Sequence, residues 1–86
     1  MNRDELKTEL KRLLVEALKL DDVQPGEIED GAPLFGEGLG LDSIDALELA
    51  VAIERRFHVS IPDEEVGKQA FRSIDALASY IEDQKR

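Results

Sequence analysis

Over residues 1–19, apolar residues recur at helical spacing and form one stripe: Leu6, Leu10, Leu13, Leu14, Ala17 and Leu18. Asn2 precedes this stripe and is suited to cap the helix, with Asp4 and Glu5 in the first turn, where the helix dipole favours carboxylates. Charged residues on the opposite face are spaced i,i+3, as in Asp4–Lys7, and we expect that face to be solvated. The segment carries no candidate chemistry.

The helical period is lost over residues 20–41, which contain five of the six glycines and two of the three prolines. Such a density of helix breakers predicts a long loop, and loops of this length in small domains are usually functional or disordered. Disorder is the weaker interpretation, because the loop has apolar residues that could pin it to a helical core: Val23, Ile28, Leu34, Phe35, Leu39 and Leu41.

The helical period returns over residues 42–57, and a short extended link follows at residues 58–62. Asp63 then begins a brief helical turn, which Gly67 is expected to limit. Ser73 caps a last helix with apolar residues at i, i+3, i+4 and i+7: Ile74, Leu77, Ala78 and Ile81. The pattern predicts an all-α fold: a small bundle of three main helices and one short helix, with a long loop between the first and second helices.

The helix over residues 42–57 has two apolar faces. The inner face is predicted to join the core and consists of Ala46, Leu49, Ala50, Ile53 and Phe57. The second face, here called the outer stripe, consists of Ile44, Leu47 and Val51. A helix in so small a bundle needs only one buried face, so an apolar outer stripe edged by Glu48 and Glu54 is typical of a docking surface.

Two other interpretations of the outer stripe are open. It could pack under the long loop or the short helix, and for Leu47 this is as well supported as exposure. It could also form a homodimer seam, but the neighbouring carboxylates would then meet across a two-fold axis, which disfavours self-association. We therefore expect a monomer.

Length and composition exclude several functions. The 86 residues are enough for one domain, residues 1–86, without room for a deep active site. The absence of cysteine excludes a disulfide framework and a thiol nucleophile, and a single histidine leaves little material for a catalytic triad or a metal site. The acidic residues from Asp21 to Asp30 do not have the spacing of a calcium-binding loop, so we predict no metal.

The net charge of −9 argues against binding to nucleic acid or to an anionic membrane surface, and it favours basic partners. The acidity is local, because residues 20–58 hold ten acidic and two basic residues. No apolar stretch resembles a signal peptide or approaches the ~20 residues that cross a bilayer. We expect no membrane insertion and a cytoplasmic location.

Ser43 is the one candidate for chemistry. Asp42 is a good N-cap, with Asp45 at the third helical position, so Ser43 lies in the first turn with its hydroxyl exposed. A phosphate esterified there would be stabilised by the positive end of the helix dipole. Serine is also common near helix starts for structural reasons alone. His58 lies roughly 20 Å away along the helix, so if Ser43 becomes a nucleophile, a separate enzyme must supply the base.

Residues 40–49, GLDSIDALEL, resemble the attachment motif of bacterial acyl carrier proteins, the discrete type II carriers that bear phosphopantetheine. The resemblance continues through residues 52–57 and 61–65, and the order of helices also matches, so it covers essentially the whole chain. It implies that Ser43, next to Asp42, covalently carries 4′-phosphopantetheine from coenzyme A. The thiol of this arm would carry acyl intermediates as thioesters between enzymes of fatty acid, polyketide or related lipid synthesis.

The resemblance also implies that the protein is a carrier and not an enzyme. Its partners would be a phosphopantetheinyl transferase and acyl-processing enzymes with basic docking patches. They would contact Ile44, Asp45, Leu47, Glu48, Val51 and Glu54. The acyl chain would lodge between the helices against Ala46, Leu49, Ala50 and Ile53.

The sequence departs from the family pattern at three positions. Ile44 replaces the usual leucine, and Arg55 and Arg56 interrupt a stretch that is often acidic in carriers of primary fatty acid synthesis. A carrier for a specialised pathway is therefore at least as well supported as one for the housekeeping synthase. Two rival functions are a small acidic helical adaptor, which binds a basic protein without modification, and an enzyme, for which no residue set supplies both nucleophile and base.

Overall fold

The computed structural model describes residues 2–35 and 40–85. Within them the α-helices are α1 (Arg3–Ala17), α2 (Ser43–Phe57), α3 (Glu64–Ala70) and α4 (Ile74–Gln84), and a 3₁₀ turn occupies Pro25–Glu27. The described residues form no β-strand, and one isolated bridge joins Phe35 and Leu41. The predicted all-α fold, with three main helices, one short helix and a long loop after the first, is confirmed.

The caps predicted from the sequence define the helix starts. The side chain of Asn2 accepts a hydrogen bond from the Glu5 N–H at 2.9 Å, and that of Ser73 accepts one from the Ala76 N–H at 3.1 Å. α1 packs against both α2 and α4, and α3 packs against α4. The core lies where these helices meet, and its nine most completely buried large side chains are Leu10, Leu14, Leu34, Leu49, Ile53, Phe71, Ile74, Leu77 and Ile81.

Gly67 does not limit α3, contrary to the sequence-based expectation. The helix continues to Ala70, and the Phe71 N–H donates to the Gly67 carbonyl at 2.9 Å. A Cβ built at Gly67 would lie 3.6 Å from Ile61 Cγ2 and 3.8 Å from the Phe71 ring. A small side chain at this position would make ordinary van der Waals contact with the preceding link and with the Phe71 ring, so the space around Gly67 does not require glycine.

The loop between α1 and α2 is held by apolar and polar contacts. Ile28, Leu34 and Leu41 are buried in the core, as the sequence predicted, whereas Leu39 lies outside the described residues. The Leu34 N–H donates to the Arg72 carbonyl at 3.2 Å. The same loop is also attached to α4, because the Asp75 N–H donates to the Asp30 carbonyl at 2.9 Å.

The Asp30 side chain contributes an ionic contact that the sequence analysis missed. Lys7 Nζ lies 3.1 Å from Asp30 Oδ2 and 2.9 Å from Asp75 Oδ1, and Lys11 Nζ lies 2.6 Å from Asp30 Oδ1. The side chains of Lys7 and Lys11 are only 17% and 20% exposed. The expectation of a fully solvated charged face on α1 is therefore wrong: Lys7 binds Asp30 of the loop and Asp75 of α4, and Lys11 also binds Asp30.

No helix among the described residues is both long enough and apolar enough to cross a membrane.

We predict that Asp30→Asn destabilises the fold by about 1 kcal/mol or less near neutral pH, because the ion pairs are partly solvated. Hydrogen bonds from Lys11 and Lys7 lower the pKa of Asp30 below its usual value. A carboxyl group with a lowered folded-state pKa stabilises the fold above its unfolded pKa of about 4, and this contribution is lost as the pH falls through the folded pKa. Thermal unfolding as a function of pH measures the effect.

The difference in Tm between wild type and Asp30→Asn should shrink below about pH 4. Glu29→Gln is the matched control, since it removes the same charge from an exposed neighbour. Equal Tm values for wild type, Asp30→Asn and Glu29→Gln at neutral pH would contradict the ionic role of Asp30.

Candidate functional site

The first turn of α2 is fixed by a reciprocal pair of caps. Asp42 Oδ1 accepts hydrogen bonds from the Ile44 N–H at 3.0 Å and the Asp45 N–H at 3.1 Å. In return, Asp45 Oδ2 accepts one from the Asp42 N–H at 3.0 Å. This capping box satisfies N–H groups that the start of a helix leaves without partners, so it determines where α2 begins.

Ser43 is the first residue of α2 and is exposed. Its position agrees with the sequence prediction of a serine in the first turn behind an Asp42 cap. The glycine that leads into this turn, Gly40, has φ 71°, a left-handed conformation that glycine adopts without the steric cost of a Cβ. A nucleophilic Ser43 would need an external base, because His58 is the C-cap residue at the opposite end of the same helix.

Ser43 borders an open groove of about 800 Å³. α2 forms one side through Ala46, Leu47 and Ala50. The opposite side is formed by α3 and the residues that flank it, together with the end of the long loop: Pro33, Phe35, Leu41, Ile61, Pro62, Asp63, Gly67, Lys68, Phe71 and Arg72. An attached group at Ser43 would therefore have a recess directly beside it whose lining is mostly apolar.

The four residues predicted to contact an acyl chain do not all reach this groove. Ala46 and Ala50 line it and are half-buried. Leu49 and Ile53 are not among its lining residues and are 1% and 0% exposed in the core. Helical periodicity placed all four on one face, but only the packed structure distinguishes the groove side of that face from its core side.

Sequence reasoning missed most of the wall opposite α2. Phe35 and Phe71 are in ring contact, with centroids 6.4 Å apart, and both line the groove. The link before α3 is anchored by the Tyr80 hydroxyl, which donates to the Ser60 carbonyl at 2.7 Å. The apolar pair Ile61–Pro62, just before α3, was the available signal in the sequence, but its position in the groove lining depends on long-range packing.

The outer stripe is exposed. Ile44, Leu47 and Val51 have 68%, 66% and 43% of their surface accessible and are the large hydrophobic residues that the described part of the chain leaves in solvent. Leu47 also lines the edge of the groove, but its exposure shows that it does not pack under the loop or the short helix. Burial of these three side chains by another molecule would release water from apolar surface that the fold itself does not cover.

The acidic residues around the outer stripe differ in whether their side chains have a hydrogen-bond or ion-pair partner. Glu48 and Glu54 are exposed, and no hydrogen bond or ion pair joins either side chain to another described residue. Asp45 is half-buried, and its carboxylate is engaged by the Asp42 N–H. Glu48 and Glu54 therefore have more freedom than Asp45 to meet cations from outside.

The two arginines at the end of α2 have separate environments. Arg56 Nη2 lies 2.5 Å from Glu9 Oε2, which joins α2 to α1. Arg55 is exposed and lines a second, shallower cleft with Val51, Glu54, His58 and Ser60. Of the two, only Arg55 adds a free positive charge next to the outer stripe.

Comparisons with known proteins agree with the site. Residues 8–81 match the family model described as "Phosphopantetheine attachment site". The chain is also 39% identical over 77 residues to the "Acyl carrier protein" of Wolinella succinogenes, an alignment that covers 90% of this chain and 93% of that relative. Both matched spans are long enough to include the whole of α2 and the residues that line the groove.

We predict that Asp42→Ala destabilises the protein by about 1 kcal/mol, because the Ile44 and Asp45 N–H groups lose their acceptor. Denaturant unfolding measures the change. Asp42→Asn should keep most of the stability, since an amide oxygen also caps a helix. An Asp42→Ala protein as stable as Asp42→Asn would show that the cap does not stabilise the first turn.

Proposed function

The chain belongs to the family of phosphopantetheine-bearing acyl carrier proteins, and from this membership we propose that Ser43 is the residue that carries the arm. As a carrier of this family, the protein is a substrate of other enzymes and not itself a catalyst. The observation that supports Ser43 is its exposure at the capped start of α2, beside an apolar groove. No distortion of the fold is needed for an attached group to extend from this position into the groove or into solvent.

In the modification, Ser43 Oγ attacks one phosphorus atom of the coenzyme A pyrophosphate. This is the phosphorus atom to which the pantetheine arm is esterified. An Oγ–P bond forms, the P–O bond of the pyrophosphate breaks, and adenosine 3′,5′-bisphosphate leaves with the electron pair. The proton of the Ser43 hydroxyl passes to a base of the transferase, since His58 lies at the opposite end of α2 and the Asp42 and Asp45 carboxylates are engaged in the capping box. The positive end of the α2 dipole stabilises the negative phosphodiester that results.

When attached, 4′-phosphopantetheine supplies a flexible tether and a terminal thiol that holds an acyl group as a thioester. Ala46 and Ala50 leave room for an acyl chain along α2, and Ile61 and Phe71 contribute the facing apolar wall. Leu49 and Ile53 support α2 from the core side. We propose that the groove shelters the acyl chain in this way, with Leu49 and Ile53 behind the lining and not in it.

The outer stripe is the proposed docking surface for the transferase and for acyl-processing enzymes. Ile44, Leu47 and Val51 provide a contact centre that can be desolvated, while Glu48 and Glu54 attract basic patches. A small apolar centre with a charged rim favours fast association and weak binding, as exchange between successive enzymes requires. Asp45 contributes through the capping box, which holds Ile44 and Ser43 in place.

We further propose that the protein acts as a monomer and carries intermediates of fatty acid, polyketide or related lipid synthesis. Arg55 favours a specialised pathway, because this stretch is often acidic in carriers of primary fatty acid synthesis. Its exposed guanidinium at the end of the docking surface would pair with an acidic residue of the partner. Arg56 does not bear on this choice, since its charge is paired with Glu9.

Incubation of the purified protein with coenzyme A and a broad-specificity phosphopantetheinyl transferase should increase the intact mass by about 340 Da, the mass of the arm less one water. Ser43→Ala should abolish the gain, because the acceptor oxygen is lost. Ser60→Ala is the matched control and should be modified like wild type. A wild-type protein that stays unmodified with several transferases, while still binding a basic partner through Glu48, would instead favour the unmodified adaptor.

We expect Glu48→Lys to lower kcat/KM for arm transfer roughly fivefold at low ionic strength, because a charge on the docking rim changes the association rate. The deficit should shrink as salt is added. Glu16→Lys makes the same charge change on an exposed site of α1 and should have little effect. Equal losses in both variants would mean that net charge, and not the outer stripe, governs docking.

A further inference from the structure

Two basic residues line the groove beside Ser43. Lys68 lies on α3 and Arg72 follows four residues later, just after the helix ends. Both are exposed, and neither forms an ion pair with another described side chain. The backbone at Arg72 is fixed, because its carbonyl accepts the hydrogen bond from the Leu34 N–H. The side chain is therefore presented from an anchored position.

These cations differ from those that stabilise the fold. Five other basic residues of the described chain are paired with carboxylates, mostly between α1 and its neighbours: Arg3, Lys7, Lys11, Arg12 and Arg56. In a protein of net charge −9, acidic groups are plentiful, yet Lys68 and Arg72 are not paired with any of those described.

The carboxylates of the groove are already engaged in helix caps. Asp42 Oδ1 accepts from two N–H groups at the start of α2, and Asp63 Oδ1 accepts from the Val66 N–H at 2.9 Å at the start of α3. The lining thus combines apolar walls, two capped carboxylates and two cations without a described partner. This arrangement suits a ligand with an apolar part and an anionic group.

We propose that Lys68 and Arg72 bind an anionic oxygen group of the ligand attached at Ser43, and so make the groove selective for anion-bearing cargo or for one position of the arm. The proposal rests on the attachment at Ser43. Two sources have the required chemistry: the phosphodiester at Ser43 itself and a carboxylate at the far end of a dicarboxylic acyl chain. Arginine can hold either group through two parallel N–H···O hydrogen bonds, while lysine contributes a point charge.

The test uses full-length protein loaded from hexanoyl-coenzyme A or from adipyl-coenzyme A, which has the same chain length and a terminal carboxylate. Intact mass first establishes complete loading. Failure to load therefore counts against Ser43 attachment and not against the role of Lys68 and Arg72. The rate of thioester cleavage by hydroxylamine then reports how well each cargo is sheltered in the groove.

If a cargo carboxylate is the bound anion, Lys68→Gln combined with Arg72→Gln should speed cleavage of the adipyl protein about three- to fivefold, the range expected for partly solvated ion pairs. Cleavage of the hexanoyl protein should be unchanged. Comparing each cargo between wild type and variant removes differences in intrinsic thioester reactivity.

If the phosphodiester is the bound anion, both cargoes should respond alike, and the ³¹P chemical shift of the protein carrying the arm without cargo should move in the double variant. Lys19→Gln combined with Lys85→Gln makes the same charge change at exposed sites outside the groove and is the matched control. The proposal is overturned if the groove variant changes neither cleavage rates nor the ³¹P shift, or if the control variant changes them equally.

Discussion

The capping box between Asp42 and Asp45 is the interaction on which the functional surface depends. It determines the residue at which α2 begins and places Ser43 in the exposed first turn, beside the groove. Leu49, Ile53 and Phe57 pack inward from this helix, which leaves the outer stripe in solvent. One pair of carboxylates thus fixes the start of the helix that carries both Ser43 and the proposed docking surface.

The charged residues fall into two groups: those paired between elements of the fold and those without a described partner. Between α1, the loop and α4, opposite charges are paired across elements, so that Lys7 and Lys11 hold the Asp30 region near the core. Around the outer stripe, Glu48 and Glu54 form no ion pair with a described side chain. On the groove wall, Lys68 and Arg72 also form none. Charges that stabilise the fold are therefore separate from charges that are available to other molecules.

The sequence alone determined the helices and the family. Apolar spacing predicted the four helices, and Asn2, Asp42, Asp63 and Ser73 marked their starts because capping is a local interaction between a side chain and N–H groups two or three residues away. The two apolar faces of α2 likewise follow from helical geometry. The motif around Ser43 is contiguous in the chain, so the order of its residues is enough to indicate the family.

Only the tertiary structure decided which elements meet. Helical periodicity could not separate Ala46 and Ala50, which line the groove, from Leu49 and Ile53, which lie in the core, because the distinction depends on what packs against each side of α2. The pairing of Lys7 with Asp30 and Asp75 joins residues that are distant in sequence. The placement of Arg72 on the groove wall likewise depends on the hydrogen bond between its carbonyl and the distant Leu34 N–H. Local rules fix where a helix starts and which residues share its faces, whereas contacts between elements depend on the packing of the whole chain.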